Sequence, residues 1–537
     1  VLRDYLNNFL PDYMVPERFI ELLEMPLSPT GKIDRKQLAT LDVSLSRSHL
    51  YVAPENDTQH LLANAWEYVL GNSPIGIHDN FFHIGGHSLK VLEILVQVKK
   101  HIPFLKIQDF FQYPTIAELD QYISNFQPED LDVETPPKNI VYKDLMEPSK
   151  LPVSETVKPL PMTSVLLTGA TGYLGSHVLY ELLVTTNAHI YCLIRPSEKA
   201  TLEDKLKDSM QFYFGHTITK HMENRITVIQ GDLGKKNLHL TSEDEQVLIE
   251  EIDAIIHCGA DVRHFGATDH FNNVNVNGTR YLLELAKGKP GIHFHYVSTI
   301  GIPEELAAIR WGPDEAKGDF NYDMQLHSVY TQSKLEAENL VRNAVHDAIP
   351  ISIYRVGNLS CHSETGKFQR NINDNAFYRM IKSMLYLGKT PSVQWHVDFT
   401  PINYASQALV CLANQPAANG HVFHLCNPVS LTYLELIDMI KEFGYDLQVM
   451  TKQEYTNWLL HDDHSIEVQE YLALAIAQLE GDGASDSPFI FNCKKTIEFL
   501  ANARIECAVP NTAFIHQMIE YGIETGYFPK PKQVNIR

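Results

Sequence analysis

What this chain has little of narrows its class before any motif is read. No apolar run reaches the roughly 18 residues that a membrane-spanning helix requires. The best stretch, 162–184, is broken by three glycines, His177 and Glu181, so no membrane association is expected. Positive charge is in deficit: 44 Lys and Arg stand against 66 Asp and Glu, a net −22 with a pI near 5.5. A general nucleic-acid binder needs a cationic surface to displace counterions, so no nucleic-acid partner is expected. Cysteine is sparse. The seven residues are scattered without a C-x-x-C pair and read as reduced core thiols rather than disulfides. The 25 histidines contain no H-E-x-x-H and no other ligand spacing, so no metal site is expected. The first residues, Arg3, Asp4 and Asn7 among them, do not read as a secretory leader, and the expected compartment is the cytoplasm. With no initiator Met, the chain is expected to be a piece of a longer polypeptide.

What is present describes packed domains. The chain has 537 residues, of which 44% are hydrophobic, 20% charged and 10% aromatic, a composition unlike disorder. At roughly 150 residues per domain the length corresponds to about three or four units. Two composition shifts divide it: a polar stretch at 42–49, and a segment at 127–161 that holds seven prolines and several acids. The second reads as a semi-stiff linker, because proline restricts φ and favours extended chain. The expected pieces are 1–45, 50–126 and 162–537, with the linker 127–161 between the last two.

The first piece is too short to bury a core of its own. It contains PDYMVPERF (11–19) and PLSPTGKIDRKQL (26–38), where Pro-Thr-Gly predicts a turn before a basic segment. The second opens with Leu61, Leu62, Ala65, Trp66, Val69 and Leu70 on helical spacing, and continues through the loop DNFFHIGGHSLK (79–90). Leu89, Leu92 and Val96, then Ile116 and Leu119, mark further short helices, which predicts a small four-helix bundle. Ser88 falls at a helix start, where a phosphate is favoured by the free N–H groups and the dipole, and Gly85-Gly86 before it keep the loop open. A plain N-cap is the other reading of that serine.

The third piece begins SVLLTGATGYLGSHVLYELL (164–183), a short strand, a glycine turn and a helix. Further strand-like runs at 190–194, 226–229, 254–257, 294–297 and 351–354 alternate with helical stretches. That alternation predicts an α/β fold with a doubly wound parallel sheet of Rossmann type. Beyond about residue 400 the pattern is mainly helical, as at 433–443 and 496–503.

Gly169, Gly172 and Gly175 are spaced G-x-x-G-x-x-G between strand and helix, the context in which a backbone can approach a pyrophosphate. NAD sites place an acid about 20 residues past the glycines to bind the ribose 2′-hydroxyl, while an Arg accommodates a 2′-phosphate. Here Arg195 stands at that distance and the first acid is Glu198, which favours NADPH, with Lys205 as a second cation. Tyr330 and Lys334 are four apart, so a helix puts them on one face, where an ammonium would lower the phenol pKa towards working pH. Upstream, the run HFHYV ends in Ser298-Thr299 at the expected carboxyl edge of the sheet, where ligands bind.

GATGYLG, the Val297-Ser298-Thr299 strand end and Tyr330/Lys334 resemble the extended short-chain dehydrogenase/reductase family. Within it, LIRP (193–196), GDL (231–233), NVNGT (275–279, with the Asn at 275) and YRVGNLSCHSETG (354–366) resemble thioester reductase domains over roughly 162–537. The resemblance implies a catalytic triad of Thr299, Tyr330 and Lys334, with Ser298 able to replace Thr299 in part. It implies a cofactor site at Gly169, Thr171, Gly172, Tyr173, Leu174 and Gly175. Arg195, Lys205, Asp232, Leu233, Ala260 and Lys334 complete that site, and the mainly helical end becomes the substrate subdomain. The chain departs from the family at Val356, where Pro is frequent, and at Cys361, where Gly is.

The second piece resembles a peptidyl carrier protein of nonribosomal peptide synthetases, and DNFFHIGGHSL then makes Ser88 the 4′-phosphopantetheine attachment site. The first piece resembles the C-terminal end of an adenylation domain, a small α+β remnant closing in PTGKIDR. Lys32 would be its acyl-adenylate lysine, idle here because the rest of that domain is missing. The implied whole is a terminal synthetase fragment that releases a carrier-bound acyl or peptidyl thioester as an aldehyde, or after a second reduction as an alcohol. Its implied partners are upstream synthetase modules, in the same or another chain, and a phosphopantetheinyl transferase. Two other readings stay open: a nucleotide-sugar epimerase or dehydratase, and a non-catalytic module that senses dinucleotide.

Overall fold

The computed structural model describes residues 51–126, 143–144, 157–197, 200–263, 266–302, 329–462, 468–478, 489–491 and 493–531, with 26, 151, 464 and 465 besides. The expected adenylation remnant with Lys32, and most of the linker, lie outside the described residues. The chain divides into two compact units: Val1–Glu134 with Leu459–Glu480, and Thr135–Trp458 with Gly481–Arg537.

Within 51–126 the first unit forms α1 (Asp57–Leu70), α2 (Ser88–Val98), α3 (Ile107–Gln112) and α4 (Ile116–Asn125). Asn56 caps α1 by accepting from the Gln59 N–H, and Gly71 ends it with φ 67°, the left-handed conformation glycine adopts without strain. The apolar stripe read from the sequence faces inward at Leu62, Ala65 and Trp66. Trp66 meets Phe81 edge-on at 4.8 Å, and Phe81 meets Phe110 at 6.0 Å. Full burial of each such side chain stabilises by about 1.5–3 kcal/mol. Gly86 serves this core rather than an open loop: a Cβ there would collide with the Phe81 ring. The helix Gln469–Ala477, with Leu472, Ala475 and Ile476 buried, belongs to this unit and packs on α2, although it lies inside the stretch 162–537.

The second unit is built on β1 (Ser164–Thr168), α5 (Tyr173–Thr185), β2 (His189–Ile194), α6 (Leu202–Phe214), β3 (Ile226–Gln230), α7 (Ser242–Glu251), β4 (Ala254–His257), α8 (Gly278–Lys287), β5 (His293–Thr299), α9 (Val329–Asn343) and β6 (Ile351–Val356). After it come α10 (Ala376–Leu387), α11 (Ile402–Ala413), β7 (His421–Leu425), α12 (Tyr433–Glu442) and α13 (Thr512–Glu524). Seven strands pair in the order β7-β6-β5-β4-β1-β2-β3, every pair parallel. This is the doubly wound Rossmann sheet expected from the strand and helix alternation, with the strand order reversing between β1 and β4.

Alternation along the strands explains the two layers. Val165 and Leu167 of β1 pack with Val178, Leu182, Ala405 and Leu409 of α5 and α11 on one face. Leu166 packs with Leu248, Leu282, Ala337 and Val341 of α7, α8 and α9 on the other. Strands buried on both faces read as continuous apolar runs, which is why six of them are visible in the sequence. The seventh, β7, lies in the region read as mainly helical; its two histidines break the apolar run. A third core, formed by Phe368, Tyr378, Tyr433, Ile437, Phe514 and Met518, belongs to the mainly helical C-terminal part.

Candidate active site and carrier attachment site

β1 ends in the glycine turn. Gly169 has φ +75°, and a Cβ on Gly175 would run into the Gly169 carbonyl, so the turn closes only with glycine at both places. Gly172 is the N-cap of α5, whose first N–H groups have no helical partner and are open to an anion. Ser176 Oγ ties the turn together by bonding to the Ala170 and Gly172 carbonyls, at 3.0 and 2.7 Å. The Thr171 carbonyl accepts from Ser209 of α6, and Leu174 is buried. A pyrophosphate fits this cradle because backbone, not side chain, forms its floor.

Of the expected cofactor residues, Tyr173 contributes only its backbone there. Its hydroxyl donates to the Ser360 carbonyl at 2.8 Å, and its ring packs edge-on to Phe368. Arg195 is exposed at the end of β2, and Lys205 of α6 donates to its carbonyl oxygen at 3.1 Å. Burial lowers the Lys205 pKa, and the Arg195 charge lowers it further while Asp232 opposes both. Two cations therefore share the place where an NAD site has a carboxylate. Asp232 follows β3 and accepts from the Gly234 N–H at 2.9 Å, Leu233 lies against Gly259, and Ala260 follows that glycine after β4.

The structure brings Thr299, Tyr330 and Lys334 together at the carboxyl end of β5. Thr299 is the last residue of β5 and pairs in register with Val356 of β6. Tyr330 and Lys334 lie one turn apart on α9. The Thr299 hydroxyl is near enough to the Tyr330 phenol to act on its pKa. Lys334 donates to the Val297 carbonyl at 2.7 Å and lies 4.2 Å from the centre of the Tyr296 ring.

Burial sets the protonation of both groups. It pushes the Tyr330 phenol up to about 12, against the Thr299 hydroxyl, with Asp261 adding to the rise. Burial also pulls Lys334 down to about 7, against the Glu338 carboxylate and Cys258. The expected fall in the Tyr330 pKa does not occur: the ammonium turns to Val297, and loss of water outweighs it. At neutral pH the tyrosine is thus a protonated donor.

The supporting contacts of three residues escaped the sequence reading. Asn275, buried in a π-helical turn (Asn272–Asn277), accepts from the Asp261 N–H at 2.8 Å and donates to Ser333 Oγ at 2.9 Å. Ser333 Oγ in turn donates to the Tyr330 carbonyl at 2.8 Å. The motif NVNGT was the only signal for this brace. Ser298 is buried and donates to Glu338 at 2.5 Å, so its hydroxyl is engaged and is not placed to replace Thr299.

In the first unit Ser88 is the first residue of α2, and His87 is its N-cap with extended backbone. All seven cysteines are free. Among the described residues, no group of three or more His, Cys, Asp or Glu could hold a metal, and no helix is long and apolar enough to cross a membrane.

Residues 60–123 match the family model of the phosphopantetheine attachment site, and 167–409 match that of the male sterility protein, a dinucleotide-binding family. The chain is similar to a linear gramicidin synthase of Brevibacillus parabrevis, 31% identical over 98% of this chain and 10% of that protein. It is also similar to the L-2-aminoadipate reductase of Candida glabrata (its large subunit), 26% identical over 99% of this chain and 42% of that one. Among solved structures, a thiolation-reductase di-domain from an archaeal non-ribosomal peptide synthetase aligns with TM-score 0.71 at 26% identity, over 90% of this chain and 100% of that one. The terminal R domain of the myxalamid pathway aligns with TM-score 0.60 at 28% identity, over 73% and 98%.

The chain is a carrier-plus-reductase module of the nonribosomal peptide synthetase family. It spans well under two thirds of the length of these curated relatives. The carrier calls for 4′-phosphopantetheine and the reductase for a nicotinamide dinucleotide, and the open α5 N-terminus above a glycine floor fits the latter.

Proposed function

We propose that this module releases an acyl or peptidyl group, held as a thioester on a phosphopantetheine arm at Ser88, by reducing it with NADPH to the aldehyde or further to the alcohol. The observation that carries this reading is the Thr299–Tyr330–Lys334 cluster at the carboxyl edge of a dinucleotide-binding sheet, in a chain that also contains a carrier. NADPH rather than NADH is supported by Arg195 and Lys205 at the end of β2, where a 2′-phosphate would be met by two cations. When bound, the cofactor supplies hydride for the thioester carbonyl carbon.

The chain's own residues do the rest. The glycine turn and the α5 N-terminus hold the pyrophosphate. Thr299 Oγ1 and Tyr330 Oη donate to the carbonyl oxygen as it gains charge, and Tyr330 gives up its proton there; the C–S bond of the resulting thiohemiacetal then breaks, its hydroxyl proton passing to the departing sulfur, so that the aldehyde and the free thiol of the arm separate. Lys334, anchored on Val297, keeps a cation one turn from the phenol and is placed to hold a ribose hydroxyl. Upstream synthetase modules would supply the acyl group, and a phosphopantetheinyl transferase would install the arm. The test is NADPH oxidation by the full holo chain with a soluble pantetheine thioester, wild type against Tyr330→Phe. A loss of about 10²–10⁴-fold with an unchanged melting curve is expected; a folded variant near the wild-type rate would overturn the reading.

A further inference from the structure

The group beneath the triad that the proposed chemistry does not use is Glu338. It sits on α9 one turn beyond Lys334 and is fully buried. Its Oε1 accepts from Arg342 Nε at 2.9 Å and from Arg355 at 2.7 Å, and a terminal nitrogen of Arg342 lies 2.8 Å away as an ion pair. Its Oε2 accepts from Ser298 Oγ at 2.5 Å and from Arg355 Nε at 3.2 Å. Ser298 and Arg355 are partners in register across β5 and β6, and each is followed by one of the next pair, Thr299 and Val356. One carboxylate therefore joins α9, β5 and β6 directly behind the three reacting side chains.

Burying a charged cluster is weak support for stability, because desolvation offsets most of the Coulomb gain. A device of this kind is better explained by what it aligns. Tyr330 and Thr299 stand on α9 and β5, the two elements that Glu338 clamps through Ser298 and that Lys334 joins through the Val297 carbonyl.

We propose that Glu338 is a positioning residue: through Ser298 it holds the Thr299 strand end against the Tyr330 turn of α9, and it sets a negative charge one helical turn from Lys334. This rests on the reading of Thr299, Tyr330 and Lys334 as the acting groups. Among the described residues, the groups facing Lys334 are Tyr330 and Glu338 on its own helix, Tyr296 and the Val297 carbonyl on β5, and His257 and Cys258 at the end of β4. Tyr330 and His257 are neutral at pH 7, since burial holds the phenol up to about 12 and the imidazole down to about 3. Burial raises the Cys258 thiol to about 12, so it is neutral as well, and Glu338 is the one anion of the set.

Two variants of the full holo chain separate the parts of this proposal. Glu338→Gln removes the charge, so the alkaline fall of kcat/KM should move to lower pH by about one unit. An unshifted limb in folded protein overturns the electrostatic role. Where loss of the buried carboxylate charge prevents folding, Ser298→Ala gives the answer, because it leaves both Arg–Glu338 pairs intact. That variant should lower kcat at least tenfold with NADPH affinity, melting temperature and the alkaline limb unchanged. A wild-type kcat for Ser298→Ala overturns the positioning role. Tyr330→Phe serves as the control: if it too reacts at the wild-type rate, the triad reading has failed, and not Glu338 alone.

Discussion

Lys334 Nζ and the Val297 carbonyl oxygen lie 2.7 Å apart, a hydrogen bond from the helix that carries Tyr330 to the strand that carries Thr299. It fixes a cation at the edge of the sheet while burial draws its pKa down to about 7. The proposed triad is thus held by backbone and buried side chains on regular elements, the arrangement that would keep donors aimed before substrate arrives.

Thr299→Ala should lose a full donor. Removing one preorganised donor to a developing oxyanion lowers turnover by about 10²–10³-fold. The sequence alone allowed Ser298 to compensate, but its hydroxyl is buried and bonded to Glu338. Steady-state NADPH oxidation checks this; a loss of only two- or threefold would show that another donor takes over.

Arg195→Ala should weaken NADPH by about 1.5–3 kcal/mol, the range for hydrogen bonds to charged groups, and leave NADH nearly unchanged. Arg195 is exposed and Lys205 stands beside it, so the lower end is expected for the single variant and a further loss for Arg195→Ala with Lys205→Ala. Binding titrations with both cofactors decide it. Equal losses for NADPH and NADH would mean that the arginine does not read the 2′-phosphate.

Ser88→Ala should abolish attachment of the arm. Wild type treated with a phosphopantetheinyl transferase should gain one arm by intact mass and the variant none. Modification surviving in the variant would move the site elsewhere.

Acidification should destabilise the reductase. Burial pushes His177 down to about 4 and both His257 and His293 down to about 3, while the unfolded value is near 6.5. Below about 6.5 the unfolded chain binds protons that the folded chain refuses. The stability is therefore complete above that pH and is lost as pH falls towards the folded values, by about 1.4 kcal/mol per residue at one unit below. Glu181, raised by burial to about 7, and Asp398, raised to about 6, act in the opposite sense but are fewer. Melting temperature measured from pH 7.5 to 5.5 should fall, and less steeply in His293→Asn. A rise towards acid would contradict this balance.

The sheet was legible because its strands are buried on both faces, and the glycine turn because close packing permits no other residue at Gly175. The Tyr330/Lys334 pair was legible from helical spacing alone. The clamp was not. Glu338 in YTQSKLEAE reads as one more helix charge, and only the fold brings Ser298 and Arg355 to it. The direction of the Tyr330 pKa was misread for a related reason, since four-residue spacing shows that an ammonium is near but not that it points to Val297. Gly86 looked like a loop residue until Phe81 was found beneath it.

The most direct test of reductive release is the mass of what leaves the carrier. Full-length holo protein, loaded with an acyl group on Ser88, is mixed with NADPH, and both the protein and the released small molecule are weighed. The expected result is an unloaded arm, NADPH consumption in step with release, and an aldehyde or alcohol product, all absent in Tyr330→Phe. Release of the free acid, or of product at the same rate without NADPH, would contradict it.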